Sequence, residues 1–395
     1  MVKGVEPLHL DASSCWSEKL QKIDDEIQQV LAASHMPADL IELDYQCHPS
    51  FFASLKAMGT SHDFTLIRPD SREKLAGLGV RSVRSAYLGG KPAKIGYLHH
   101  LRLHPEIRGG HYLARGYRVI RKFFTDNPAE VTLTSILEDN HRARQILENS
   151  RQNSSMPVYQ QVSRYLTALI PLRGPGKRWP ALSRPIYQFD GGRTITTRLL
   201  NQTDLPELKE LFKKAGQACD GLPCLDQDID SSDGFTMFPG LSVRDFVGVF
   251  LGNRLMAACA IWNQQSFKQI VARKLCASMK LTRFFWRLLE PAIGRCPIPA
   301  EGQKVNQTLL DPWAIFPGFE KKLGPMMLQF ATREAKQRGF DFAAWGVAEK
   351  NPAAEAANSV FFLPYWSIIY QVFWPEHGAY IFGDKQLQLM NLGAL

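Results

Sequence analysis

A chain of 395 residues with 45% apolar and 22% charged content is long enough for two domains, with the composition of a globular protein. Its net charge of +9 favours anionic partners, and it carries no run of about 18 apolar residues that would predict a membrane span. Seven scattered cysteines without a Cys-x-x-Cys pair argue against a disulfide framework, and the first residues lack the apolar core of a secretory signal, so a reducing cytoplasm is the expected compartment.

Residues 17–33 place Leu20, Ile23, Ile27, Val30 and Leu31 on one helical face, predicting a surface helix within a helical extension over residues 1–40. Residues 49–59 predict a second helix closed by Gly59. Strands are expected at 64–68 and 75–87, with turns at Pro69-Asp70-Ser71 and Gly89-Gly90. A strand over 94–103 follows, with Ile95, Tyr97, Leu101 and Leu103 on odd positions. Tyr112, Leu113, Tyr117, Ile120 and Phe124 predict a helix from about 110 to 126, stopped at Asn127-Pro128. Val131–Leu137 reads as a buried strand, 140–149 as a short helix, and 159–172 as one or two closing strands.

Arg173-Gly-Pro-Gly-Lys-Arg-Trp-Pro180 reads as a connector, giving a linker at 174–185 between units at 41–173 and 186–395. Beyond it the order begins again. A strand is expected at 194–200, a helix from Asp204, a hairpin at 246–250 and 254–262, a helix at 323–338, a strand at 340–347, a short helix at 351–362 and a last strand at 366–374. The fold class is α+β (mixed α/β), two similar units each with a mostly antiparallel sheet flanked by helices. Asp226 to Gly234 has the look of a calcium loop, but Ser231 and Met237 stand where that loop needs Gly and Glu, so no metal is predicted. The basic residues Arg173 and Lys177-Arg178 fall in the linker. No Lys/Arg run is interleaved with aromatics, so nucleic acid is not the expected partner.

The chemistry is expected at Leu101-Arg-Leu-His-Pro-Glu-Ile-Arg-Gly-Gly-His-Tyr-Leu-Ala114. A strand that turns through Arg-Gly-Gly into a helix offers backbone N–H groups and a positive dipole end, suited to a pyrophosphate. This segment, with Ile136-Leu-Glu-Asp-Asn140-His-Arg-Ala143 downstream, resembles the GNAT superfamily of acyl-CoA N-acyltransferases: a strand, x-Pro-x-x-Arg-Gly, a helix, then a strand ending in Asn-x-x-Ala. The match covers roughly residues 45–172. The second half is similar only in element order, as in tandem-GNAT proteins.

The resemblance implies an acyl-CoA-dependent N-acyltransferase, with acetyl-CoA as co-substrate, no metal, and an amine acceptor that the sequence does not name. It implies that Leu101, Arg102 and Leu103 line the pantetheine. The N–H groups of Arg108, Gly109, Gly110, His111, Tyr112 and Leu113 would hold the pyrophosphate, and Asn140 would contact the cofactor near the thiol. His111 and Leu113 stand at the family's later glycine positions, and Leu147 stands where its proton-donating tyrosine often lies. Candidate proton acceptors are His99 and His100; candidate donors are Tyr159 and Tyr165, which also suit sheet packing. Glu138 and Asp139 border the expected cleft, or prepare the helix start. Arg115, Arg118 and Lys122 form a basic stripe for a ribose phosphate or for solvent. In the second half, Lys321, Lys322 and Gly324 lie in the equivalent turn of a degenerate unit. Alternative readings are an aminoacyl transferase of the Fem type using charged tRNA, and a non-catalytic CoA-binding scaffold.

Overall fold

The computed structural model describes residues 3–11, 14, 17–33, 41–69, 74–148, 155–173, 186–188, 194–227, 234–293, 296–383, 386–387 and 392–394. The first half runs β1 (Val5–Asp11), α1 (Glu18–Ala32), β2 (Ile41–Gln46), α2 (Phe51–Leu55), β3 (Ser61–Ile67), β4 (Gly77–Leu88), β5 (Lys91–Leu103), α3 (Tyr112–Asp126), β6 (Val131–Leu137), α4 (His141–Glu148) and β7 (Val158–Pro171). The second begins with β8 (Ile186–Gln188), β9 (Thr194–Leu199), α5 (Leu205–Ala218) and the short strands β10 (Cys219–Asp220), β11 (Gly234–Phe235) and β12 (Phe238–Ser242). It continues with β13 (Phe246–Leu251), β14 (Arg254–Trp262), β15 (Gln269–Leu275), α6 (Ala277–Ile293), β16 (Gln307–Ile315), α7 (Glu320–Gln337), β17 (Phe342–Ala348) and β18 (Leu363–Phe373).

The α+β class holds, but both halves build one sheet. Its strand order is β1-β3-β4-β5-β6-β18-β7-β17-β16-β14-β13-β9-β8. The N-terminal extension supplies a strand as well as a helix, since β1 pairs with β3 along its whole length. Within the sheet the parallel neighbours are β5–β6 and β16–β17, the corresponding pair in each half. The last strand of each half has crossed over: β18 pairs with β6, β7 pairs with β17, and β7 and β18 pair with each other. The expected linker at 174–185 lies outside the described residues. Strand β16 was not foreseen because Asp311-Pro312 interrupts its apolar run. A proline disfavours a central strand, and here it falls where the register with β14 shifts, between Cys259↔Trp313 and Ile261↔Leu310.

Helices cover both faces. On one, α5 packs across the middle of the sheet, burying Leu208, Leu211, Phe212 and Ala215 against Ile95, Tyr97, Leu133, Tyr165 and Trp262. Gly216 on α5 admits the ring of Tyr87 from β4: a Cβ there would lie 2.1 Å from it. On the opposite face, α7 buries Leu323, Met327, Leu328 and Ala331 over the second half, and α3 buries Tyr117 and Ile120 beside Leu98, Ile136 and Trp374.

One buried cation fixes α3 against the strands. Arg81 of β4 is fully buried and donates to Asp63 Oδ2 at 3.0 Å and to the carbonyls of Phe123 and Asn127 at 3.2 and 2.8 Å, at the C-terminal end of α3. The Phe123 carbonyl also accepts from Asn127 N at 2.9 Å, and a cation at this helix end meets the negative dipole end. Gly96 of β5 leaves room for it, since a Cβ would stand 3.0 Å from Arg81 Nε and 2.5 Å from Thr132 Oγ1. Replacing Asp63 strands a buried guanidinium, so Asp63→Ala should lower unfolding free energy by about 3–5 kcal/mol. Urea denaturation measures this; a loss below about 1 kcal/mol would show that Arg81 is held without its carboxylate.

Candidate active site

Strands β5 and β6 run side by side for three residue pairs, Ile95↔Val131, Gly96↔Thr132 and Tyr97↔Leu133. Thr134 Oγ1 then donates to the Leu98 carbonyl at 2.8 Å, and the ladder ends. Two features separate the strands. One is the pairing of β6 with β18. The other is a bulge in β5: Val80 faces His99 and Leu78 faces Arg102, so Gly79 alone opposes His100 and Leu101. His100 adopts φ 52°, and among the described residues it is the non-glycine residue recorded with positive φ. Beyond the bulge, the edge of β5 from His100 to Leu103 has no ladder partner in β6, which leaves an opening between the strands.

That edge leads into the turn expected to bind anions. Pro105–Ile107 forms one 3-10 turn, Gly109 takes φ 82°, and α3 begins at Tyr112 with no side chain capping its N-terminus. The first-turn N–H groups and the positive dipole end therefore face the opening. Two arginines flank it: Arg102 Nη1 donates to the Leu101 carbonyl at 3.1 Å and Arg108 Nε to the Leu103 carbonyl at 2.9 Å. Burial first, then Arg108, lowers the Arg102 pKa. Leu101, Leu103, Tyr112 and Leu113 are half-buried; Arg108, Gly109, Gly110 and His111 are exposed.

No family model matches the chain, and no curated protein matches it in sequence. Solved structures are similar in shape. The N-myristoyltransferase of Saccharomyces cerevisiae with bound myristoyl-CoA superposes with a TM-score of 0.54 at 12% identity, over 94% of this chain and 83% of that one. The same enzyme with bound myristoyl-CoA and inhibitors gives 0.53 at 13% identity, over 95% and 81%. A GCN5-related N-acetyltransferase from Sphaerobacter thermophilus matches at 0.45 and 11% identity, over 82% and 83%. The chain shares the fold of the N-myristoyltransferase structures over most of its length.

Within this fold the remaining candidates take definite places. Asn140 lies at the end of β6 and caps α4, its Oδ1 accepting from Ala143 N at 3.2 Å. Glu138 pairs with Arg164 at 2.8 Å, which also reaches Glu349 at 2.7 Å; Arg164 holds the Glu138 carboxyl below its ordinary pKa. Arg118 bonds Ser155 and Arg115 bonds the Lys3 carbonyl, so part of the basic stripe is engaged at the surface. Tyr159 shares a 2.5 Å hydrogen bond with Tyr117, and burial raises its pKa well above 10. It packs on the α3 side of the sheet, whereas His99 stacks on Tyr97, which belongs to the cluster beneath α5; the fold does not bring Tyr159 to the histidines. Tyr165 is fully buried against Gly346.

His99 and His100 form one end of a longer array that the sequence did not reveal. His99 Nδ1 and His100 Nδ1 are 2.5 Å apart, His99 Nε2 is 2.7 Å from Ser82 Oγ, and Ser82 Oγ is 2.8 Å from His62 Nδ1. The link is the cross-strand pair His62↔Ser82 on β3 and β4, which needs the register to be seen. Burial and neighbouring Arg102 and Lys268 press His100 down to about 3; burial and His9 press His62 to about 4; His99 also falls well below 6.5.

The second half repeats the opening in modified form. Strands β16 and β17 pair in parallel from Gln307↔Phe342 to Leu309↔Ala344 only. Asn351-Pro-Ala-Ala354 follows β17 at the spacing at which Asn140-His-Arg-Ala143 follows β6, and Asn351 Oδ1 accepts from Ala353 N at 2.9 Å. That repeat was legible in the sequence and was missed. The equivalent of the anion turn is filled from within: Gly318 N donates to Glu320 Oε1 at 3.1 Å. Lys321 pairs with Glu355 at 2.6 Å, and Gly324 packs on Ala356.

Neutral buried histidines give a pH dependence with a definite sign. In the unfolded chain a histidine binds its proton below about 6.5, but in the folded chain His62 does so only near 4 and His100 near 3. The unfolded state therefore holds more protons between these values, and stability falls as pH drops from about 6.5 towards 4. His62 alone accounts for about 3 kcal/mol at most. Urea midpoints across this range should show the fall, and His62→Gln should flatten it; an unchanged slope in that variant would contradict the assignment.

Proposed function

We propose that the chain is an acyl-CoA-dependent N-acyltransferase whose first half holds the thioester, most simply acetyl-CoA. One observation carries this reading: the β5 edge freed by the bulge at His100 runs directly into an uncapped, arginine-flanked helix start. An extended amide-bearing chain can pair with such an edge while its pyrophosphate meets the N–H groups of residues 109–113. The similarity to a protein solved with bound myristoyl-CoA supports a CoA thioester and leaves acetyl as our choice of acyl group. Residues 41–173 are then the cofactor unit and residues 186–395 the unit that completes the cleft, with Glu320 in place of an external anion.

In the reaction the acceptor nitrogen attacks the thioester carbonyl, a C–N bond forms, the C–S bond breaks and CoA leaves as its thiolate. The chain must orient the two reactants and take up the ammonium proton. His100 and His99 are neutral at pH 7 and so able to accept a hydrogen bond; through Ser82 they connect to His62. Because their basicity is low, they suit passing a proton along the array better than retaining it. Tyr159, tied to Tyr117, remains protonated and is a donor only by way of that pair.

Titration calorimetry with acetyl-CoA and, separately, myristoyl-CoA tests the site. The unmutated protein should bind at least one, and Arg108→Glu should weaken that binding by about tenfold or more, since it reverses a charge beside the pyrophosphate position. Failure of the unmutated protein to bind either thioester removes this reading.

A further inference from the structure

Helix α6 is built with its apolar side outward. Leu281, Phe284, Phe285, Leu288 and Leu289 recur at helical spacing on one arc and are 54–62% exposed. A helix of a globular protein ordinarily turns such a stripe to the core. Here the half-buried side carries Met279, Arg283, Trp286 and Glu290 instead, and polar contacts hold it there. Arg283 Nε donates to the Ile298 carbonyl at 3.1 Å, Glu290 Oε1 accepts from Cys296 N at 2.9 Å, and Lys280 pairs with Glu301 at 2.9 Å. The helix cannot roll its apolar stripe inward without breaking these.

Charge selects what covers the stripe. Lys274, Lys280, Arg283 and Arg287 lie on α6 or just before it, against Glu290 alone. Of the neighbouring acids, Glu290 accepts from Cys296 N, and Glu301 accepts from Leu275 N and pairs with Lys280, which leaves Lys274, Arg283 and Arg287 without a carboxylate contact among the described residues. Two copies of so basic a face would repel each other, whereas an anionic surface would be drawn to it. The helix is too short and too charged to cross a bilayer; no helix among the described residues qualifies. Apolar and aromatic residues along one arc with basic residues beside them are the arrangement of a helix lying in a membrane interface.

We propose that the outward face of α6 docks on an anionic phospholipid bilayer, with Leu281, Phe284, Phe285, Leu288 and Leu289 entering the acyl boundary and the basic residues meeting the headgroups. The position connects it to the cleft. Helix α6 follows β15, which pairs with β2, and Tyr45 of β2 lies within electrostatic reach of Arg102 and Tyr365. Lys268, at the base of the same ribbon, acts on His100. A bilayer bound at α6 therefore lies next in the chain to the ribbon that carries Tyr45 and ends at Lys268. The docking itself does not depend on the acyl-transfer reading.

Flotation of the full chain with vesicles tests it. The chain should float with phosphatidylcholine/phosphatidylglycerol vesicles and remain below with phosphatidylcholine alone, and added salt should weaken the association. Replacing Leu281, Phe285 and Leu288 together by Glu should lower the bound fraction by about tenfold or more while the circular dichroism spectrum is unchanged. Should that variant lose helical signal, Leu288→Gln alone must still reduce binding. The proposal is overturned if the unmutated chain stays with the soluble fraction, or if the substituted chain floats equally. It is also overturned if sedimentation shows a dimer that the triple variant dissociates without any vesicle binding, which would assign the face to a second copy.

Discussion

The guanidinium of Arg81 is the contact on which the cleft depends. It lies at the point where β3, β4, β5, β6 and the end of α3 meet, bonded to Asp63, Phe123, Asn127 and Thr132 and stacked over Phe124. From there β5 and β6 run together for three pairs and then separate. If α3 slid along the sheet, its N-terminus would leave the β5 edge and the turn at 108–113 would no longer face the opening between the strands. Arg81 Nη1 reaches the carboxylate and both helix-end carbonyls, while Nε reaches Thr132 Oγ1 on β6, so one side chain ties α3 to two strands. The cost is a buried charge, and its one carboxylate partner is shared with His9 and Asn127, so several elements are tied to a single group.

The exchange of β7 and β18 sets the second constraint. Each parallel pair needs a neighbour on its inner side, and in each half that neighbour comes from the other. The antiparallel ladder between β7 and β18, from Leu363↔Leu169 to Phe373↔Val158, is the seam of the sheet. Because β6 is committed to β18, it cannot follow β5 round the bulge, and so the opening persists. The two halves therefore are not beads on a string: separating them would strip β6 and β17 of their partners. Helix α5 reinforces the seam by packing from the second half onto Tyr87 of the first.

Local pattern made much of this legible. Helix α3 and strand β6 follow from periodicity and from Pro128, and the anion turn follows from Arg108-Gly109-Gly110 after a strand. What could not be read was pairing between distant segments. The crossing of β7 and β18 leaves no mark in either strand, since an apolar alternating strand suits either neighbour. The array His62–Ser82–His99–His100 depends on a register of two antiparallel ladders and on a one-residue bulge, and composition is blind to both. Helix α6 was overlooked for a different reason. Its spacing is plain in the sequence, but spacing cannot say whether an apolar stripe is covered, and the polar contacts of Arg283 and Glu290 decide that.

The turns after β5 and β16 differ in their charge. In the first, burial and then Arg108 disfavour the charge of Arg102, and the helix start has no capping side chain. Like charges held together beside free N–H groups are relieved by an anion from outside. In the second, Glu320 supplies the negative charge from the helix itself and takes the N–H of Gly318. The two turns therefore differ in where the partner of their N–H groups comes from. Arg102, one of the positive groups at the first opening, also adds to the burial that keeps His100 neutral. A bound anion would weaken that electrostatic share of the depression, so occupancy of the cleft and the basicity of His100 are coupled through Arg102.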